Sequence, residues 1–434
     1  MALKVGFAEV DITPPVGTHK IGWLKDIVSD TVLDPLSARV MAIESNGEKA
    51  GFIQLDTLCI PREQAARIRE EVARRHAFPG DNVMVAATHN HAGPAVANCG
   101  DVKRDDAYVG TLVEWTASAF GQALSNMQPA EIGFGTTFEF DVPHNRRVIM
   151  RDGTVRTQTS FNEPNALCME GPIDPEVAVL AARDQQGTLL GALVNFACHP
   201  THHGGGTCLS AGFPGVLDRQ MKKRRCPVTL FLNGASGNIT DMDFQRGGAR
   251  KSHEEIGEIL AGDVERALAP VEYRREAELR CAAETVQLPF RQLTEDELNG
   301  TKRGAQRFID PAIYERAIPR LIERMRRMGT EPAEVQVISI DEYAFAGIPA
   351  EYFVQLGLRI KEQCYPRHAL VVAHANGMVG YVPHKEAFLR GGYETTFGGG
   401  SRLAPEAGDM LADRAIELIA RGPAPQTAEG DGRA

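Results

Sequence analysis

The chain has no Cys-x-x-Cys pair, no apolar run of membrane-spanning length, no excess of positive charge and no internal repeat. Each absence removes a class of protein. Its eight cysteines are scattered without disulfide or zinc-finger spacing, which argues against a disulfide-stapled scaffold. The opening residues Met1 to Gly6 run straight into a strand-like segment with no secretory apolar stretch, so a reduced, cytoplasmic protein is expected. Asp and Glu number 57 against 47 Lys and Arg, a net charge of −10. That balance argues against a general nucleic-acid partner and against stable membrane association. The one basic run, Lys222-Lys223-Arg224-Arg225, follows a predicted helix and reads as a solvated face.

What is present is ordinary in amount: 43% apolar and 24% charged residues over 434 positions, enough for a sizeable core. Strand-like and helix-like segments alternate. Lys49 to Ile60, Val83 to Ala87, Leu189 to Cys198 and Val228 to Asn233 read as strands. Pro61 to His76, Tyr108 to Met127 and Phe213 to Arg225 read as helices. This rhythm predicts an α/β fold with a mixed, partly parallel sheet flanked by helices. Ala277 to Phe290 alternates like antiparallel β, and Thr301 to Gly329 is an Arg-rich, mostly helical excursion. Val335 to Ile348 reads as a hairpin turning near Asp341-Glu342, with a helix from Ala350. No linker divides the chain, so one large domain over 1–421 is expected, with a disordered Pro- and Gly-rich tail over 422–434.

Chemistry concentrates where strands end. In Ala87-Thr88-His89-Asn90-His91-Ala92-Gly93-Pro94, an extended chain would turn both imidazoles to one face; two nearby histidines are equally compatible with no ligand role. Val194-Asn195-Phe196-Ala197-Cys198-His199-Pro200 again delivers a histidine before a proline, with Cys198 on the opposite, core-facing side. His202 and His203 lie in the glycine-rich loop beyond, as extra ligands or as solvated side chains. Ala346-Gly347-Ile348-Pro349-Ala350-Glu351 places a glutamate in the expected first turn of a helix, where the helix dipole alone would favour it. Tyr381, in Gly380-Tyr381-Val382, reads as a packed aromatic when taken by itself. Two histidines and a glutamate with a position left open follow the ligand logic of a catalytic zinc.

Together these stretches resemble the catalytic domain of the neutral/alkaline (non-lysosomal) ceramidases. The resemblance begins at Val5-Gly6-Phe7-Ala8-Glu9-Val10-Asp11-Ile12-Thr13-Pro14. It runs through the histidine motif, Asn145-Arg146, Asn195 to His199, Gly237-Asn238-Ile239-Thr240 and Gly347 to Glu351, and ends at Tyr381 and Tyr393-Glu394. It implies a large mixed α/β catalytic domain, and that His89, His199, Glu351 and Tyr381 bind one Zn2+. It also implies that His91, Arg146 and Tyr393 contact the scissile amide or adjacent polar groups. Thr240 falls where the family has a serine once proposed as nucleophile; serine and proline are both replaced here, which puts a covalent role in doubt. Gly212 stands where relatives usually carry an acidic residue. The chain also stops before the family's C-terminal β-sandwich.

The resemblance implies a zinc-dependent hydrolase of a linear amide acting on a small-molecule substrate, an N-acyl compound smaller and more soluble than long-chain ceramide. Zinc-bound hydroxide would attack the carbonyl carbon, with His91, Arg146 and Tyr393 stabilising the oxyanion. His91 and Tyr393 are alternative acids for the leaving amine. Asp56, at the end of a strand, is expected to orient an imidazole, or to act as the base. The same scaffold suits an ester or lactone, and a binding-only relative would keep the ligands without turnover. An amidohydrolase barrel predicts an aspartate after a final strand, and His374-Ala375-Asn376-Gly377 offers none. Metallo-β-lactamase chemistry predicts an Asp-His after His91, which is missing. Oligomeric state leaves no trace in the sequence.

Overall fold

The computed structural model describes residues 3–422, so the tail expected over 422–434 lies, from 423 onward, outside the described residues. Two large sheets form the framework. The first comprises β1 (Lys4–Asp11), β2 (Ser37–Ser45), β3 (Glu48–Leu55), β4 (Val83–Ala87), β5 (Gln128–Phe138), β6 (Glu176–Asp184), β7 (Leu189–Phe196) and β8 (Thr229–Asn233), in the order β8-β7-β6-β5-β1-β2-β3-β4. The second comprises β9 (Leu279–Pro289), β10 (Thr330–Ile340), β11 (Tyr343–Ile348) and β12 (His368–Ala373), paired in sequence order.

Their inner faces meet in one apolar layer that includes Phe7, Met41, Phe52, Leu193, Leu232, Ile338, Phe345 and Val372, all buried. Helices α1 (Arg62–His76) and α2 (Asp106–Ser125) cover one half of the first sheet's outer face. α3 (Gly212–Lys223) and α4 (His253–Leu268) cover the other. α5 (Pro311–Met328) is the Arg-rich excursion and packs to one side with Phe397. α6 (Val354–Gln363) and α7 (Ala407–Ala420) cover the outer face of the second sheet. The result is four layers, α/β/β/α, with one core shared between the sheets.

Local chemistry explains the helix boundaries. Pro61 precedes α1, and Arg74, Arg75 and His76 occupy its last turn, where cations complement the exposed carbonyls. Ser252 and Glu255 form a reciprocal capping box at the start of α4. Asp310 caps α5, which opens on Pro311 and ends at Gly329.

Within the two sheets most neighbours are antiparallel, and three pairs are parallel: β4 on β3, β8 on β7 and β12 on β11. Parallel neighbours place their carboxyl ends side by side, which is where α/β folds build their sites. The first sheet also curls until its two edges meet. Asn233 Nδ2, at the end of β8, donates to the Thr88 carbonyl just beyond β4 at 3.1 Å. That closure brings the end of β4 to the end of β7.

One expected boundary fails. Glu351 is not in a helix: Glu351–Tyr352 forms a two-residue strand paired in parallel with Tyr381–Val382, and α6 begins only at Val354. The Glu351 N–H donates to the Gly380 carbonyl at 2.9 Å, so a partner 29 positions away, not local propensity, sets its conformation.

Candidate metal centre

His89 follows β4, His199 follows β7 and Glu351 follows β11, each the carboxyl end of a strand with a parallel neighbour. Their side chains converge. The Nε2 atoms of His89 and His199 lie 2.8 Å apart, and Glu351 Oε2 lies 3.4 Å from the first and 3.6 Å from the second. His91 Nε2 is 3.3 Å from His89 Nε2. Ligands at about 2.0–2.1 Å from a tetrahedral zinc are separated from one another by roughly 3.3 Å. The separations of 3.3, 3.4 and 3.6 Å are close to that value, and the His89–His199 pair is closer at 2.8 Å.

The protons of the imidazoles point away from that centre. Nδ1 of His89 meets the Leu58 carbonyl at 2.7 Å, that of His199 the Ser236 carbonyl at 2.9 Å, and that of His91 the Gly22 carbonyl at 2.8 Å. A carbonyl only accepts, so each Nδ1 carries the hydrogen and each Nε2 presents a lone pair. Burial, and then the neighbouring His89 ring, hold His91 and His199 well below the usual imidazole pKa, so both are neutral at pH 7. Imidazole Nε2 atoms and a carboxylate oxygen converging at one point are an electron-rich set that a cation satisfies. The residues fit a divalent metal.

His89 and His91 do not reach this point by strand pleating. β4 ends at Ala87, and His89 has a left-handed φ of 68°, which swings its ring toward His199. His91 depends on Gly22, whose φ is +120° and where an added Cβ would lie 3.0 Å from His91 Nδ1.

Around the donors lies a buried polar network. Tyr381 is the pairing partner of Glu351, and its Oη accepts from Arg146 Nη2 at 3.0 Å. Arg146 also donates to the Gly237 carbonyl at 2.8 Å and to Glu394 Oε1 at 2.8 Å. Gly237 is needed because a Cβ there would lie 2.4 Å from the Glu351 carbonyl oxygen. Burial and the Glu351 carboxylate push the Tyr381 phenol well above its ordinary pKa, with Arg146 pulling the other way. Phenolate ligation would therefore draw on the charge of a bound ion. Tyr393 meets Tyr381 edge to face at 5.5 Å and lies against Phe308 at 4.6 Å.

Two expected roles are not supported by contacts. Asp56 is fully buried, but its carboxylate accepts from Arg39 Nη1 at 3.1 Å, Ser37 N at 2.9 Å and Gln54 Nε2 at 2.9 Å. It orients no imidazole; backbone carbonyls do that instead, because the loops after each strand fold over the rings. Thr240 also stands apart. Its Oγ1 accepts from Met242 N at 3.4 Å and lies 3.5 Å from Asp241 Oδ1, and Asp241 is itself held by Arg250 and His202. Cys198 lies in the core under α3, and burial pushes its thiol well above the usual value, as befits an inert side chain.

His202 and His203 form a separate group with His253. His203 Nε2 is 3.3 Å from His253 Nδ1, and His253 Nε2 is 3.3 Å from Asp34 Oδ2. Asp34 and Glu254 also converge there, but Arg219 bridges both carboxylates, at 3.1 and 2.6 Å, and its guanidinium already supplies the cation. Sequence reasoning missed Glu394, which accepts from Arg146, Arg147 and Thr157. It also missed His374, which stacks on His89 with ring centres 4.0 Å apart. Glu394 was visible only as a neighbour of Tyr393.

This arrangement of sheets and helices is the fold of the ceramidase catalytic domain. The chain is similar to neutral ceramidase from Pseudomonas aeruginosa, with 22% identity over 466 aligned residues that cover 89% of this chain and 67% of that protein. The crystal structure of the Pseudomonas aeruginosa enzyme superposes with a TM-score of 0.74 at 18% identity, covering 99% of this chain and 76% of the other. A ceramidase structure complexed with C2 gives a TM-score of 0.75, 18% identity and coverages of 99% and 77%. No protein-family model matches the chain. The resemblance read from the motifs thus holds along the described chain.

Proposed function

We propose that the chain is a zinc-dependent hydrolase of a linear amide, acting on an N-acyl compound smaller than long-chain ceramide. The observation that carries this reading is the convergence of the His89 and His199 Nε2 atoms with Glu351 Oε2, each ring's Nδ1 being turned outward onto a backbone carbonyl. Its likeness to neutral ceramidase supports an amide as the bond cleaved. His89, His199, Glu351 and Tyr381 would hold the ion. When bound there, zinc supplies a Lewis acid and lowers the pKa of water to about 7.

The protein's own groups then divide the work. With Nδ1–H fixed on Gly22, His91 Nε2 is a proton acceptor, so it serves as a base and returns the proton to the leaving amine. This differs from the oxyanion-donor role expected from the sequence. Arg146 is the buried positive charge beside the donors and is oriented by Glu394, so it stabilises negative charge developing on the carbonyl oxygen. Tyr393, edge to face with the Tyr381 ring that Arg146 contacts, would add its phenol as a further donor. Leu24, Tyr314 and Phe397 pack around Tyr393. All eight cysteines are unpaired, which supports a reduced compartment. Among the described residues no helix is long and apolar enough to cross a membrane.

The test is elemental analysis of the purified protein, followed by hydrolysis of N-acylated amino alcohols, amino acids and amino sugars. Each would carry graded acyl lengths and be assayed with and without chelator. Stoichiometric zinc with chelator-sensitive amide cleavage, favouring short acyl chains, is expected. A zinc-loaded protein inert toward amides would overturn the amide assignment. Turnover of esters alone would move it to an esterase.

A further inference from the structure

His374 is fully buried, with 0% exposure, and neither ring nitrogen meets a hydrogen-bond partner among the described residues. Leaving a buried donor or acceptor unpaired is destabilising, and an apolar side chain would avoid it. Its backbone adds a second unfavourable feature, a left-handed φ of 57° in a residue with a Cβ. Such features persist where surrounding structure enforces them, and they cluster at functional sites.

The surroundings here are the metal ligands themselves. The His374 ring lies parallel to that of His89, with centres 4.0 Å apart and planes at 9°. Its backbone is bonded to both neighbouring ligand segments: its carbonyl accepts from Ala87 N at 3.1 Å, and its N–H donates to the Ala350 carbonyl at 3.3 Å. Ala87 is two residues before His89, and Ala350 immediately precedes Glu351. The Leu58 carbonyl fixes the edge of the His89 ring, but one hydrogen bond leaves rotation about its own axis. A flat ring stacked on the face removes that freedom.

Resting on the metal reading above, we propose that His374 is a positioning residue, whose ring stack on His89 and backbone bonds to Ala87 and Ala350 hold two ligands in register for the ion. A flat aromatic face, rather than the imidazole nitrogens, is what the stack requires.

The experiment uses the full chain and Co2+ alone as the probe, reading cobalt affinity by chelator competition and the ligand-field absorption spectrum. His374→Leu fills similar space without a ring, and His374→Phe keeps the ring without nitrogens. The leucine variant is expected to lose roughly 10–100-fold in cobalt affinity, as removal of an orienting partner does, and to show an altered spectrum. The metal-free leucine variant should be at least as stable to denaturant as the wild type, which separates positioning from general packing. The phenylalanine variant should bind within about threefold of the wild type with an unchanged spectrum. If the leucine variant does not fold, His374→Met gives the same comparison. Unchanged affinity and spectrum without the ring would overturn the inference alone, as would equal losses in both variants. A wild-type chain that takes up no cobalt would overturn the metal reading and this inference with it.

Discussion

Removing the Glu394 carboxylate is the perturbation whose size the structure defines best. Glu394 is wholly buried and is shared by two guanidiniums, Arg146 at 2.8 Å and Arg147 at 2.7 Å, with Thr157 Oγ1 donating at 2.7 Å. Arg147 keeps a second carboxylate, Glu170. Among the described residues Arg146 then keeps hydrogen bonds to the Gly237 carbonyl and the Tyr381 hydroxyl, so Glu394→Ala leaves one buried charge without a directly bonded counter-ion. Breaking a buried pair this way costs about 3–5 kcal/mol. For 434 residues, an unfolding entropy near 2.1 cal/mol/K per residue converts that to a fall in melting temperature of roughly 3–6 °C. Measuring with chelator present keeps metal linkage out of the comparison.

The effect also has a pH signature. Burial alone would raise the Glu394 carboxyl, but Arg146, Arg147 and Thr157 more than offset it and hold the carboxyl below its usual value. A carboxyl depressed on folding stabilises above its unfolded pKa, about 4.3, and that contribution is lost as pH falls through the folded value. The gap between wild type and Glu394→Ala should therefore be full at pH 7 and close in acid. Pairing the substitution with Arg146→Met should recover part of the loss, because no unpaired charge remains. A single-variant loss below about 1 kcal/mol, or a gap that widens in acid, would refute the reasoning.

Other outcomes follow from the same geometry. His199→Ala should abolish both metal retention and turnover, while Cys198→Ala should leave turnover within a few-fold of wild type; elemental analysis and initial rates decide. Gly22→Ala should lower kcat by about tenfold or more with metal content unchanged, since it displaces His91 but no proposed ligand, an effect in the range of lost acid–base catalysis. Thr240→Val should retain activity within a few-fold, and a loss of several orders of magnitude would restore a covalent role for its hydroxyl.

The legible parts of the molecule were those decided over short stretches. The strands ending near His89 and His199, the helices bounded by Pro61 and by Phe213, and the hairpin turning at Asp341 all follow from local periodicity and turn chemistry. The α/β class followed from their order. Which strands run parallel did not, because pairing is settled by partners 25 to 37 positions away, across an intervening helix or loop. Glu351 shows the limit well: its dipeptide would suit a helix start, and only Tyr381 makes it a strand. The orienting carbonyls of Leu58, Ser236 and Gly22 belong to the backbone, so no residue type announces them. Asp56, at a strand end, suggested a carboxylate orienting an imidazole or a base, and its observed partner Arg39 is on the adjacent strand.

The proposed ligands come from chain positions 89, 199, 351 and 381, and the first sheet must curl and the second must dock before they face one another. A fragment ending before Glu351 lacks two of the four proposed ligands. Uptake of the proposed ion would thereby report on completed folding, and chelation should loosen the junction of the two sheets before it loosens either one.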